Sequence, residues 1–246
     1  MPNSENMEVD CKRIEELEKV FSANHYNGSG NTAFQIEEGS VPIMLSAPHA
    51  VNHFRDGKLK AADCYTGGIA RYLRERTGCS IIYSASFTET DPNYDSPKAG
   101  GYKESLKAYL NEHPVYLLMD LHGAAREREF AVEMGTAPRK RKEDASLLQY
   151  PFVDDVIKSI LEKKFLSLNT EKKNISKNVF FAAKNQNTIA NYISAHTNTA
   201  CIQLEINREY RETEHSLAMQ SLVEGLRDCI SYFSTLDWDK LRRTFE

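Results

Sequence analysis

Three short apolar segments end in residues that can bind a metal or move a proton. Val41-Pro-Ile-Met-Leu-Ser-Ala-Pro-His49 and Val115-Tyr-Leu-Leu-Met-Asp-Leu-His122 end in histidine, and Ala200-Cys-Ile-Gln-Leu-Glu205 ends in a carboxylate. Short apolar runs of this kind read as buried strands. In an open α/β sheet, ligands bind outside the carboxyl ends of the strands. Two neutral imidazoles and a carboxylate form the protein shell of a catalytic zinc, with the fourth position left for water. The pattern points to a zinc hydrolase on an α/β sheet.

The intervening segments supply the helices. Asp10 to Ala23 has Ile14, Leu17, Val20 and Phe21 at helical spacing behind a capping Asp10. Ala33 to Glu37 and Val41 to Leu45 flank a Glu-Gly-Ser turn and read as a hairpin. Ala62 to Arg76, Lys103 to Asn111, Leu147 to Leu166, Thr188 to His196 and Glu214 to Phe233 read as helices. Cys79 to Ala85, Phe130 to Gly135 and a run from Val179 read as further strands, with a charged loop over Glu171 to Lys177. Alternating strands and helices imply a layered α/β fold with a largely parallel sheet. No repeat or linker divides the chain, so one domain over residues 1–246 is expected, frayed over residues 1–8.

A hydrophobic content of 41% over 246 residues is enough for one large core. The net charge of −4 argues against a nucleic-acid binder, because phosphate binding needs a basic surface. The Arg139-Lys-Arg-Lys142 cluster reads as a solvated face. Five cysteines without a CxxC fit reduced thiols in a cytoplasmic protein. There is no signal-like N-terminus, and no apolar run approaches the ~18 residues of a membrane span.

His49 and His122 sit in similar frames, each followed by small residues that leave room for a ligand. Asp120, two residues before His122, shares its face of the strand and is placed to accept the imidazole N–H. For the third ligand two acids stand open on the residues alone, Asp56 beside a glycine turn and Asp63 at a helix start. Asp63 has a further reading as an N-cap or first-turn acid. Glu205 reads either as a catalytic base or as the partner of Arg208 or Arg211 in an internal salt bridge. His53 and the remaining histidines, in loops or on helices, read as surface residues. The chain has no GxSxG nucleophile elbow and no phosphate loop.

These residues together resemble the N-formylglutamate amidohydrolase family. The matching segments are Leu45-Ser-Ala-Pro-His-Ala50, Arg55-Asp-Gly-Lys58 with Asp63 and Thr66-Gly67, Asp91-Pro-Asn-Tyr-Asp95, Leu118-Met-Asp-Leu-His-Gly123, Gly135-Thr136, Asn187-Thr-Ile-Ala-Asn191 and Ile202-Gln-Leu-Glu-Ile-Asn207. The resemblance implies a three-layer α/β/α fold with a central, largely parallel or mixed sheet, similar to the zinc carboxypeptidases and aspartoacylase. It also implies one Zn2+ per chain, held by His49, Asp63 and His122, with Glu205 as catalytic base.

Two positions depart from related patterns. Asn52 stands where a carboxypeptidase HxxE pairing would place its glutamate. Tyr94 stands where deformylase-like members carry the arginine of Asp-x-Asn-Arg, and Arg128 is the nearest replacement. The expected activity is hydrolysis of a linear amide in a small N-acyl amino acid or related carboxylate. Arg128 would hold the carboxylate, and Asn93 and Asn191 would orient the substrate. A non-catalytic ligand- or protein-binding role and a peptidase acting on peptide ends are the alternatives. The sequence leaves the oligomeric state open.

Overall fold

The computed structural model describes residues 8–136, 152–181 and 187–245. The Arg139–Lys142 cluster, residues 1–7 and the first residues of the helix expected from Leu147 lie outside them. At the centre is a seven-stranded sheet. Its strands in chain order are β1 (Phe34–Glu37), β2 (Val41–Ala47), β5 (Cys79–Ser84), β6 (Leu117–Ala124), β7 (Val132–Gly135), β8 (Ile175–Lys177) and β9 (Ala200–Asn207). Across the sheet the order is β1-β5-β2-β6-β9-β7-β8. The inner four, β5, β2, β6 and β9, run parallel, while β1 and β7 pair antiparallel to their inner neighbours. A separate hairpin of β3 (His53–Arg55) and β4 (Lys58–Lys60) follows β2.

Each inner strand divides its side chains between two faces, as a pleat with period two requires. Ile43, Leu45, Met119, Leu121, Ile202 and Leu204 belong to one large core. That core is closed by α1 (Cys11–Tyr26), α2 (Thr66–Thr77), α4 (Phe152–Phe165) and α6 (Ser216–Ser234). On the opposite face Met44, Leu118 and Cys201 pack under α3 (Tyr102–Glu112) and α5 (Ile189–His196). Continuing along that second face toward the strand ends, the residues become polar: Asp120 and His122 on β6, Gln203 and Glu205 on β9. The result is the α/β/α three-layer mixed sheet expected. Its thinner helical layer gives way to polar residues at the carboxyl ends of the parallel strands.

Several boundaries differ from the sequence reading. The β1–β2 hairpin does not form. Both edges of β2 are taken by parallel partners, so β1 lies on the far side of β5 as an outer strand. The loop after α4 contains β8 at Ile175–Lys177, inside the stretch read as a charged loop. Val179 to Phe181 form no strand, because their backbone N–H groups all point at Glu133 Oε1. Residues 182–186 lie outside the described set. A last helix, α7 (Trp238–Phe245), lies beyond the elements that the sequence pattern predicts. All five cysteines are free, as expected for reduced thiols. Among the described residues no helix is long and apolar enough to cross a membrane.

Candidate metal centre

The segment after β2 turns sharply and returns as the β3–β4 hairpin. Asp56 and Gly57 both adopt positive φ, the conformation a two-residue hairpin turn requires. Asp56 is therefore an exposed turn residue. Asp63 takes the other position: its backbone N–H donates to His49 O at 2.8 Å, which ties the two segments together.

Asp63 does not cap the helix that follows. That helix starts at Thr66, and its first N–H groups are met by Glu18 from α1, with Oε1 2.6 Å from Tyr65 N and Oε2 2.9 Å from Gly68 N. Relieved of capping, the Asp63 carboxylate faces the strand ends.

Three ligand atoms converge there. His49 Nδ1 lies 3.3 Å from Asp63 Oδ2 and 3.2 Å from His122 Nδ1, and His122 Nδ1 lies 3.7 Å from Asp63 Oδ2. A tetrahedral cation about 2.0–2.1 Å from each ligand separates them by about 3.3 Å. The far nitrogen of each imidazole is held by a buried carboxylate. His49 Nε2 meets Asp91 Oδ1 at 2.9 Å, and His122 Nε2 meets Asp120 Oδ2 at 2.9 Å. Carboxylates in this position fix the ring and its tautomer for metal binding through the other nitrogen.

The electrostatics agree with a cation. Burial pushes both imidazoles toward the neutral form, yet the surrounding carboxylates outweigh it. His49 is raised above the ordinary histidine value by Asp63 and Asp91, and His122 is raised well above it by Asp120 and Asp63. Burial likewise opposes ionisation of Asp63, but the two histidines hold its carboxyl far below the usual range. Asp63, Asp91, Asp120 and Glu205 around two imidazoles make a place that attracts positive charge, and the donor set fits a divalent metal.

His49, His53 and Asp91 form a second cluster of possible ligands. It fits a cation less well, because Asp91 is already engaged. Arg55 Nε lies 2.5 Å from Oδ2, while Asn93 N and Tyr94 N donate to Oδ1 at 2.8 and 3.0 Å. His53 was expected on the surface. It is buried, stacked on His49 with ring centroids 4.1 Å apart, and its Nε2 is 3.2 Å from Asp91 Oδ2. The Asp-Gly pair at 56–57 was the available signal, since a hairpin there turns His53 back toward the strand ends.

Glu205 closes the floor of the site. It is 8% exposed, burial raises its carboxyl above the ordinary value, and Gln203 Nε2 donates to its Oε1 at 2.6 Å. The alternative salt bridges are absent. Arg208 pairs with Glu212, and Arg211 donates to the backbone oxygens of Cys64, Ala124 and Ile206.

A cleft of about 350 Å³ opens over the centre, lined among others by Arg55, Lys60, Asn93, Arg128, Phe181 and Gln203. Arg128 is exposed, lies 5.4 Å from the Phe181 ring centroid, and pairs with neither Glu127 nor Glu129. Asn93 lines the cleft while its Oδ1 accepts from Ile189 N at 2.8 Å. Asn191 is not brought to the cleft. It belongs to the first turn of α5, where its N–H meets the capping Thr188. Asp91, His53, Arg55 and Gln203 complete the surroundings. Asp91, Arg55 and Gln203 stand in segments that carry the family resemblance but have no role assigned from sequence, and His53 reads there as a surface residue.

Fold and site together define a three-layer α/β/α scaffold with a candidate metal centre at the strand ends. The chain is similar to N-formylglutamate amidohydrolase from Ralstonia eutropha, at 13% identity, covering 81% of this chain and 97% of that one with a TM-score of 0.54. It is also similar to a gene product of Agrobacterium tumefaciens, at 11% identity, 88% and 96% coverage and a TM-score of 0.52. A variant of the cell shape determinant protein Csd4 from Helicobacter pylori matches at 12% identity, 81% and 55% coverage and a TM-score of 0.50. At these identities the likeness establishes a shared fold. No family model and no curated protein matches the sequence.

Proposed function

We propose that the protein is a zinc-dependent amidohydrolase that cleaves the linear amide of a small N-acyl amino acid. The observation that carries this reading is the convergence of His49, Asp63 and His122 beside the buried carboxylate of Glu205. One zinc held by those three side chains would supply Lewis acidity, polarising a carbonyl and making water acidic enough to lose a proton near neutral pH.

The remaining work falls to the chain's own residues. Asp91 and Asp120 hold His49 and His122 in the orientation that keeps both Nδ1 atoms directed at Asp63. Glu205 takes a proton from the attacking water and delivers it to the amide nitrogen as the C–N bond breaks, so acid and amine leave without a net change at the residue. Its burial suits both halves, because a carboxyl raised above the ordinary value holds the proton long enough to pass it on. Arg128, with Arg55 and Lys60 in the same cleft, offers positive charge to a substrate carboxylate, and Asn93 offers an amide group to orient the acyl part.

The test joins metal analysis to a substrate screen. Elemental analysis of protein never exposed to chelator should find about one zinc per chain. The zinc-loaded protein should release free amine from members of a panel of N-formyl and N-acetyl amino acids. Protein that binds no divalent metal, or that binds zinc and cleaves no member of the panel, would rule the reading out.

A further inference from the structure

Strand β9 turns two polar side chains toward the cleft, and only Glu205 has a role so far. Gln203 precedes it by two residues on the same face, is 4% exposed and lines the cleft. Its Nε2 donates to Glu205 Oε1 at 2.6 Å, while its Oε1 is buried without a hydrogen-bond partner among the described residues. Buried acceptors are nearly always paired, so an orphan in a cleft marks the place of a missing donor. The orientation of the amide follows from its neighbour. An ionised carboxylate only accepts, so the NH2 group faces Glu205 whenever that residue can act as a base. The carbonyl oxygen is then the atom left over.

We propose that Gln203 receives the N–H of the scissile amide and so makes the centre selective for secondary amides over esters. This rests on the amide-hydrolase reading above. The leaving nitrogen must come within reach of Glu205 to be protonated, and the Gln203 amide is held against that same carboxylate. An N–H brought to this place meets an acceptor that nothing else satisfies. As the C–N bond breaks, the nitrogen gains a proton and positive charge, and its N–H becomes a stronger donor. The contact therefore strengthens toward the transition state. An ester oxygen carries no hydrogen and would leave Oε1 unpaired, the situation in which a polar site rejects an analogue most strongly. On its other side Gln203 is a positioning residue, holding the Glu205 carboxylate in place.

The experiment compares isosteric pairs, N-acetyl-L-alanine against O-acetyl-L-lactate and N-acetyl-L-glutamate against O-acetyl-2-hydroxyglutarate, on zinc-loaded wild-type and variant proteins of matched metal content. Gln203→Met removes both contacts. Its amide-to-ester ratio of kcat/KM should fall about tenfold or more below that of the wild type. Gln203→Glu keeps an acceptor but sets a second carboxyl against Glu205. The two share one proton, which takes basicity from Glu205, so kcat should fall for both substrates while the ratio holds. The second variant also tests the idea should Gln203→Met fail to fold. A wild-type enzyme that cleaves the amides, with a ratio unchanged in Gln203→Met or lost in Gln203→Glu, overturns the role of Gln203 alone. A zinc-loaded wild type that cleaves neither amide overturns this proposal together with the reading beneath it.

Discussion

His122 and Glu205 are direct Cα partners on the neighbouring parallel strands β6 and β9. Paired residues of adjacent strands project to the same face, so a metal-binding imidazole and a buried carboxylate stand side by side on rigid backbone. The same register aligns Asp120 with Gln203 one step earlier. Each strand thus carries a residue for the centre and, two positions before it, the group that orients that residue.

Glu205→Gln keeps the shape of the side chain and removes its basicity. Zinc content should stay near one per chain while turnover falls about 10²–10⁴-fold. Parallel metal analysis and steady-state kinetics check this, and an unchanged rate would return Glu205 to a structural role.

Gly123 follows His122 where there is no room for a Cβ. A methyl group there would meet Arg211 Nη2 at 2.5 Å and Asp63 Oδ1 at 2.9 Å. Gly123→Ala should push both groups, costing about 1–3 kcal/mol of stability and weakening zinc binding through Asp63. Urea denaturation of the metal-free protein and zinc titration measure the two effects separately.

Asp91 serves His49, Arg55 and the backbone of the 91–94 turn at once. Asp91→Asn should weaken zinc binding about 10–100-fold while all three ligands remain. Competition with a chromogenic chelator reads this directly, and wild-type affinity in the variant would contradict the orienting role.

Arg128→Ala should raise KM for carboxylate-bearing substrates about ten- to a hundredfold, the range of a hydrogen bond to a charged group. The matching neutral amides should be much less affected. Equal effects on both classes would remove Arg128 from substrate binding and leave the positive charge of the cleft to Arg55 and Lys60.

Glu18, buried against the start of α2, has its carboxyl pushed by burial from 4.5 up to about 7. A raised folded-state value means that the folded protein binds the proton more tightly than the unfolded chain. The stability from this group is therefore complete below pH 4.5 and is lost as pH rises through 7. The total is on the order of 3 kcal/mol. With zinc chelated, urea unfolding at pH 5 and pH 8 should show a smaller fall in Glu18→Gln than in the wild type. Equal falls would show that Glu18 does not titrate in this window.

The parts of the fold that were legible are those where pattern and burial coincide. β2, β6 and β9 are apolar runs buried on both faces, and α1 begins at the Asp10 cap, which accepts from Arg13 N at 3.0 Å. His49 and His122 are legible as histidines at the ends of apolar strands, and Asp120 stands behind His122 because residues two apart share a face. Asp63, by contrast, stays level with Asp56 on the residues alone and is singled out only by the family resemblance. Tertiary competition decided the rest. β1 gives up its sequence neighbour to pair with β5, and Val179 to Phe181 give their N–H groups to Glu133 instead of a ladder. His53 looked like a loop residue because its burial depends on the hairpin that follows. Asp91 gave no local sign that it would reach two histidines and an arginine brought from elsewhere in the chain.

The wall of the cleft that carries Phe181 hangs from Glu133 through main-chain N–H groups, and Glu133 is the antiparallel partner of Glu205. The anchor asks nothing of the side chains at 179, 180 and 181, two of which, Val179 and Phe180, are 66% and 53% exposed. Their identities can change, within what the Phe130 ring beneath Phe180 and Phe181 accepts, while the loop stays moored beside the carboxylate. A lineage built on this scaffold can exchange the side chain at 181, the one of the three that lines the cleft, without disturbing the machinery beneath, so changes of specificity are expected there before they appear on the strands.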